Sequence, residues 1–388
     1  MPLANSYLEE SQLGEPEPRY PLHARVCDQC FLVQVDDVVP PEVIFGHYAY
    51  FSSYSDSWVE HARRFAQSAT RELELGPDSL VIEVASNDGY LLKHFRDGGV
   101  PVLGIEPATN VAAVAQAAGV PTEARFFGSE FASELVAGSR QADLLVAMNV
   151  LAHVPDLNDF VAGLATVLSP RGVLVIEVQH LLRLIESVQF DTIYHEHFSY
   201  FSLHTAERVL NAHGLEVFDV EELPTHGGSL RVWATHVDSE RSASERLLSL
   251  REKEAAAGLL DPLRYGGFAR DVERCRQSFS DFLVAASADG KCVVAYGAAA
   301  KGNTLLNFCG VTVSDMAYVV DRSPHKQGRF LPGSHLPIRS PEYFMQTRPD
   351  YITILPWNLR DEIVAQMEVV RSWGARFVIP VPVVEIVN

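Results

Sequence analysis

Four consecutive residues, Tyr194-His195-Glu196-His197, stand between Ile193 and Phe198. Phenol, imidazole and carboxyl groups crowded between apolar neighbours have their proton affinities moved by burial and by one another, which is the condition for acid–base work near neutral pH. The surrounding stretch, 190–202, reads equally well as an aromatic-rich packing segment. Metal binding is disfavoured there. His195 and His197 are two positions apart, so their rings diverge on a helix, and no His-Glu-x-x-His spacing exists. The choice between packing and catalysis rests on what the rest of the chain supplies.

Those residues need a scaffold, and from Ser79 onward the sequence alternates strand and helix. Strands are predicted at 80–85, 102–106, 143–148 and 172–177, with helices running to Phe95 and over 110–118. After a helix at 206–213 come strands at 215–223 and 229–235. Residues 240–287 read as a charged, amphipathic helical connector with a break near Gly266-Gly267-Phe268. A second series follows, with strands at 291–297, 316–321, 351–355 and 376–380 and a helix at 301–308. Repeated βα units imply an α/β fold with mainly parallel sheets, whose ligands bind beyond the carboxyl ends of the strands. Residues 1 to about 65 are interrupted by prolines and read as irregular.

The first strand-turn, Glu83-Val-Ala85-Ser86-Asn87-Asp88-Gly89, stands where a cofactor-binding glycine loop belongs. It lacks GxGxxG, so a dinucleotide pyrophosphate is poorly accommodated, and Asp88 would repel phosphate while suiting a cation. Glu106 ends the second strand, where a carboxylate takes both hydroxyls of an adenosine ribose. Asn149 to Pro155, with His153, follows the third. An acidic loop without a phosphate cradle favours S-adenosylmethionine over NAD. Taken singly, Asp88 reads as a helix cap and Glu106 as a solvated strand-end charge.

The chain has 388 residues, 47% hydrophobic and 21% charged, enough for two or three domains with well-filled cores. A formal charge of −19 argues against a broad nucleic-acid surface and leaves room for a local basic pocket. No apolar run reaches the ~20 residues of a membrane span, and the N-terminus lacks signal-peptide features. Five cysteines form no disulfide framework, so a cytoplasmic setting is expected. Cys27-Asp-Gln-Cys30 offers half of a tetrahedral zinc site, with no second CxxC in the chain. Three tyrosines at 48, 50 and 54 suggest a lid or pocket wall, or apolar anchoring of the N-terminal region.

Several motifs together resemble the sugar C-methyltransferases that act on nucleotide-linked deoxysugars. They are residues 83–89, 104–107, 149–155 and 194–197, His226-Gly-Gly-Ser-Leu-Arg231, 296–304, 307–310, 321–328 and Pro356-Trp-Asn358. The resemblance covers nearly the whole chain. It implies a small zinc-binding-like N-terminal module (1–65) and a central class I, Rossmann-like S-adenosylmethionine domain (66–238). A helical connector with a second Rossmann-like α/β domain (239–388) would hold the nucleotide sugar. The family's zinc module has two cysteine pairs, and Cys27 and Cys30 match the second. Zinc is therefore expected only with an upstream pair, and no firmly held zinc with these two alone.

The resemblance further implies His197 as a base that makes an enolate beside a ketone, with Tyr194, Glu196, His153 and Tyr48 around the sugar. Cofactor contacts fall to Glu83, Ala85, Ser86, Asn87, Asp88, Gly89, Glu106, Pro107 and Asn149. Substrate contacts fall to Tyr50, His226, Lys301, Asn303, Thr304, Asn307, Asp321 and Lys326, with Lys301 and the amides at its helix start suited to a diphosphate. The sequence leaves the base open among His197, Tyr194 and Tyr48, and the oligomeric state open with a monomer allowed. It also leaves sugar O-methylation and NAD-dependent oxidation of a nucleotide sugar as alternatives.

Overall fold

The computed structural model describes residues 1–36, 39–40 and 51–387. In chain order the strands are β1 (Ala24–Val26), β2 (Val33–Val35), β3 (Val81–Val84), β4 (Val102–Ile105), β5 (Thr122–Glu123), β6 (Ala142–Met148), β7 (Leu168–Gln179), β8 (Ser199–Tyr200), β9 (Leu215–Leu223) and β10 (Ser229–His236). The C-terminal unit adds β11 (Val293–Tyr296), β12 (Val319–Val320), β13 (Ile338–Arg339), β14 (Tyr351–Ile354), β15 (Arg376–Ile379) and β16 (Glu385–Val387).

The central sheet runs β5-β4-β3-β6-β7-β10-β9. It is parallel from β5 to β7, and β10 pairs antiparallel with both β7 and β9. Its strands are near-continuous apolar runs because helices cover both faces. Phe65 of helix Asp56–Glu72 and Phe95 of helix Leu92–Asp97 pack on one side. Phe131 of helix Ser129–Ala137 and Phe160 and Leu164 of helix Leu157–Val167 pack on the other. Chain order reverses at β3, which lies between β4 and β6, and the ends of β3 and β6 therefore border a crevice. A second sheet, β13-β12-β11-β14-β15-β16, is parallel except for its last pair. The predicted strand at 316–321 contracts to Val319–Val320, and the long connector divides into helices Glu245–Ala256, Pro262–Gly266 and Phe268–Ala288. Among the described residues no helix is long and apolar enough to cross a membrane.

The N-terminal region is more ordered than its prolines suggest, because it borrows a strand. The hairpin β1–β2 pairs through β2 with β8, which belongs to the tyrosine–histidine segment. The other end of that segment enters the C-terminal unit. Phe190 packs into the core beneath β11 and lies 5.0 Å from the Phe308 ring. Trp357 Nε1 donates to Asp191 Oδ2 at 2.7 Å, and the tryptophan ring presses on Gly227, where a Cβ would collide with it.

The Trp357–Asp191 bond fastens the two sheets together at a fully buried carboxyl. Trp357→Phe keeps a ring there but removes the donor. It should lower unfolding stability by about 1–3 kcal/mol, the cost of an unsatisfied buried acceptor. Amide exchange should rise at residues 190–192 more than in β3 or β6. Unchanged denaturation midpoints and unchanged exchange would contradict this role.

Candidate active site

The crevice at the carboxyl end of β3 is shaped by backbone conformation. Ala85, Asn87 and Gly89 all have positive φ (58°, 50° and 78°), and Asn149 after β6 has φ 53°. Gly89 has no room for a Cβ beside Val120, and a Cβ at Gly104 would overlap Ser86. Glu106 receives the amides of Asn87 (3.0 Å) and Ala108 (2.9 Å), which hold its carboxyl at the rim although burial raises its pKa. Pro107 leads from it into helix Thr109–Ala117. Glu83 lies fully buried under the loop. Burial first, then the charge of Glu106, pushes its pKa well up.

Ser86 Oγ, Asp88 Oδ1 and Asn149 Nδ2 are buried with no hydrogen-bond partner among the described residues. Unpartnered polar atoms around a glycine-lined crevice fit a polar ligand such as the aminoacyl and ribose parts of S-adenosylmethionine. Residues 51–54 close over the loop. Ser52 N donates to Asn87 Oδ1 (2.8 Å), while Ser53 donates to Asp88 Oδ2 through its amide (3.0 Å) and hydroxyl (2.5 Å). Tyr48 and Tyr50, the expected lid residues, lie outside the described residues.

Tyr194 to His197 form a tight turn closed by the His197 amide on the Tyr194 carbonyl (2.9 Å). The turn sets phenol and imidazole side by side, with ring centroids 4.2 Å apart. His197 Nδ1 lies 2.9 Å from the Thr192 carbonyl, which can only accept, so Nδ1 carries the proton. Its Nε2 lone pair then accepts from the Tyr194 hydroxyl at 3.1 Å. His153 stands edge-on to His197 at 4.6 Å and hydrogen-bonds the Glu196 backbone. Burial lowers the pKa of His153 to about 4, and burial, then His153, holds His197 well below the usual imidazole range. His195 turns away to the Pro21 carbonyl. Glu196 accepts from Asn5 Nδ2 at 2.6 Å, and burial raises its pKa to about 7.

The C-terminal unit supplies the opposite wall. Lys301 does not simply project from its helix start. Its ammonium lies 4.6 Å over the Trp357 ring and donates to Asn358 Oδ1 at 2.7 Å. Its charge helps to lower the pKa of both His197 and His226. His226, with φ 55°, is exposed, yet burial of its surroundings and then Lys301 lower its pKa to about 4. Its ring stands edge-on to Trp58, with centroids 5.0 Å apart. Below it, Glu177 at the end of β7 is fully buried between Arg231 Nε (2.8 Å) and His61 Nε2 (2.9 Å). Burial opposes ionisation of Glu177, but the His61 hydrogen bond and the Arg231 charge outweigh it.

Other expected substrate residues are placed elsewhere. Asn303 and Thr304 are buried, Thr304 bonds back to the Ala300 carbonyl, and Asn307 donates to the carbonyls of Asn303 and Pro332. Their polar groups serve helix packing rather than the cleft. Asp321 accepts from the amides of Ala298 and Ser323, and Lys326 donates to the Ala298 carbonyl, so both brace the turn after β11. Sequence reasoning passed over His61, Glu177, Asp191 and Trp357. Only the last two fell within stretches singled out as motifs, and nothing in the spacing of His61 announced its partner 116 residues away.

Cys27 and Cys30 sit in the turn of the β1–β2 hairpin, where the Phe31 amide closes on the Cys27 carbonyl. Among the described residues no three His, Cys, Asp or Glu side chains converge to hold a metal ion. Two thiols supply half a tetrahedral sphere, so among the described residues the ligand set for structural zinc is incomplete.

Glu106→Ala should free two buried amides and remove the acceptors at the crevice rim. Affinity for S-adenosylhomocysteine, measured by calorimetry, should fall at least about tenfold, or ~1.4 kcal/mol. Wild-type affinity in that variant would exclude Glu106 from the cofactor site.

Three family models match in succession: a candidate zinc binding domain over residues 1–45, a methyltransferase domain over 58–220, and a C-methyltransferase C-terminal domain over 224–382. The C-methyltransferase NovU of Streptomyces niveus is 36% identical over 381 residues, covering 98% of this chain and 91% of that protein. A ubiquinone biosynthesis O-methyltransferase of Methylobacterium sp. (strain 4-46) is 33% identical over 106 residues, 25% of this chain and 41% of its own length. Among solved structures, the magnesium protoporphyrin IX methyltransferase ChlM of Synechocystis PCC 6803 with bound SAM covers 47% of this chain and 82% of its own, at 15% identity and a TM-score of 0.35. The chain belongs to the C-methyltransferase family, and it is an S-adenosylmethionine-dependent C-methyltransferase.

Proposed function

We propose that the enzyme methylates the carbon beside the ketone of a 4-keto deoxysugar carried on a nucleoside diphosphate, by way of an enolate. The observation that carries this reading is the Tyr194–His197 pair. A neutral imidazole, with its lone pair fixed on Nε2 and a phenol beside it, faces a cleft whose far wall holds the Lys301 ammonium.

A saturated carbon has no lone pair, so its methylation needs a C–H bond acidified by an adjacent carbonyl. His197 Nε2 takes that proton, the C–H electron pair passes into the enolate, and negative charge gathers on the carbonyl oxygen. For this the Tyr194 hydroxyl turns from Nε2 to the substrate's carbonyl oxygen, freeing the lone pair and donating to the developing charge, with His153 at its side. When bound, S-adenosylmethionine supplies the electrophilic methyl, and its sulfur leaves with the bonding pair. Lys301 and His226 face the diphosphate, while Asp321 and Lys326 hold the turn after β11 against the C-terminal wall. A cleft kept cationic inside a chain of net charge −19 suits a small anion better than an extended polyanion.

Incubation with S-adenosylmethionine and a panel of 4-keto nucleotide sugars should give one methyl gain by mass spectrometry, as C–CH₃ by NMR. A methyl ether, or no product from the panel, would refute the reading. With S-adenosylhomocysteine bound, wild type should exchange the substrate α-proton with deuterium. His197→Asn should lower both exchange and turnover by about 10²–10⁴ while leaving S-adenosylhomocysteine affinity intact. Exchange at the wild-type rate in that variant would move the base to Tyr194.

A further inference from the structure

The N-terminal segment reaches the centre of the cleft through one side chain. Asn5 Nδ2 donates to Glu196 Oε1 at 2.6 Å, across 191 positions of sequence. The orientation of the carboxamide is fixed by what lies behind it. A carboxylate needs the N–H end of Asn5, which turns Oδ1 toward the Tyr7 hydroxyl at 3.2 Å. That hydroxyl shares its hydrogen between Asn5 and the Ala298 carbonyl at 2.7 Å, the shorter contact. Ala298 follows β11 and is held from the other side by Lys326 and Asp321. One continuous polar chain therefore runs from the Glu196 carboxyl through Asn5 and Tyr7 to the turn that faces the substrate's nucleotide end.

We propose that Asn5 is a positioning residue for the catalytic turn: it fixes the Glu196 carboxyl, favours its ionised form, and ties it through Tyr7 to the Ala298 turn of the C-terminal unit. The inference rests on the reading of residues 194–197 as the catalytic segment. Asn5 is the one side chain that donates to Glu196 among the described residues, and Glu196 is only 5% exposed. The other titratable groups around it are Tyr7 on the N-terminal segment, Lys326 and Asp321 beyond Tyr7, and His153 on its backbone side. Burial of Glu196 raises its proton affinity, and the Asn5 N–H opposes the rise. Losing that N–H must raise it further, so the ionised fraction at a given pH falls.

Two variants test this. Asn5→Ala removes the donor, and Asn5→Asp sets a second carboxyl against the first. With ¹³C-labelled glutamate, the Glu196 carboxyl signal, assigned by its absence in Glu196→Gln, should titrate about one pH unit higher in Asn5→Ala and higher still in Asn5→Asp. Turnover should fall in both variants, while S-adenosylhomocysteine affinity stays within about twofold of wild type. An unmoved titration overturns the proposal, and so does turnover at the wild-type rate. Failure of wild type to methylate any nucleotide sugar would sink the proposed substrate class instead, and the carboxyl titration would still decide the role of Asn5.

Discussion

A single peptide carbonyl, that of Thr192, determines what the cleft can do. By accepting from Nδ1 of His197 it leaves the ring's lone pair on Nε2, aimed at Tyr194. The carbonyl is itself held by structure drawn from across the molecule. Thr192 Oγ1 donates to the Gln189 carbonyl, and buried Gln189 donates to Gly227 in the loop that carries His226. Phe190, two residues before Thr192, is anchored in the C-terminal core, and Ser199–Tyr200 downstream are zipped to the N-terminal hairpin. The tautomer of one imidazole thus depends on the docking of three parts of the chain. Such a site is pre-organised by packing, not by its own side chains alone.

Electrostatics then sets the direction of the chemistry. Three imidazoles, of His153, His197 and His226, share a cleft with one ammonium, and burial keeps all three neutral. Lys301 is the positive charge that His197 and His226 feel, although burial lowers its own pKa as well. The nearby carboxyl of Asp191 is buried and raised to about 6, so it compensates that charge only in part. An anionic ligand entering beside Lys301 would offset the charge that depresses the histidines and raise their proton affinity.

Much of this was legible in the sequence because it was local. The apolar strand runs, the acidic loop after β3 and Glu106 at the end of β4 are patterns within a few residues, and all lie in the expected register. Tyr194 and His197 were conspicuous for the same reason. What stayed hidden was pairing over long separations. Nothing local marks His61 as the partner of Glu177, Asn5 as the donor to Glu196, or Trp357 as the lid on Asp191. The internal hydrogen bonds of Thr304 and Asn307, to Ala300, Asn303 and Pro332, were likewise invisible in the sequence, where polar residues at a helix start show no partners. The irregular N-terminus concealed a strand pairing because its partner, β8, is only two residues long.

Backbone strain falls where these long-range contacts converge. Ala85, Asn87, Asn149 and His226 adopt left-handed conformations that cost a side-chain-bearing residue on the order of 1 kcal/mol each. All four border the cleft. Each of the last three is held by an adjacent bond to a buried partner: the Asn87 amide on Glu106, the Asn149 amide on the Glu177 carbonyl, and the Gly227 carbonyl, next to His226, on Gln189. Those partners lie on different strands and on the segment that bridges the two sheets. The loops after β3 and β6 are held within the central sheet, whereas the His226 loop is held by the segment that docks on the second sheet, and the same docking orients the Tyr194–His197 pair. A fragment holding the central sheet alone would keep the crevice floor but lose Lys301, Trp357 and the support of the His226 loop. The crevice after β3 is built by one sheet; the Tyr194–His197 pair is oriented only in the assembled chain.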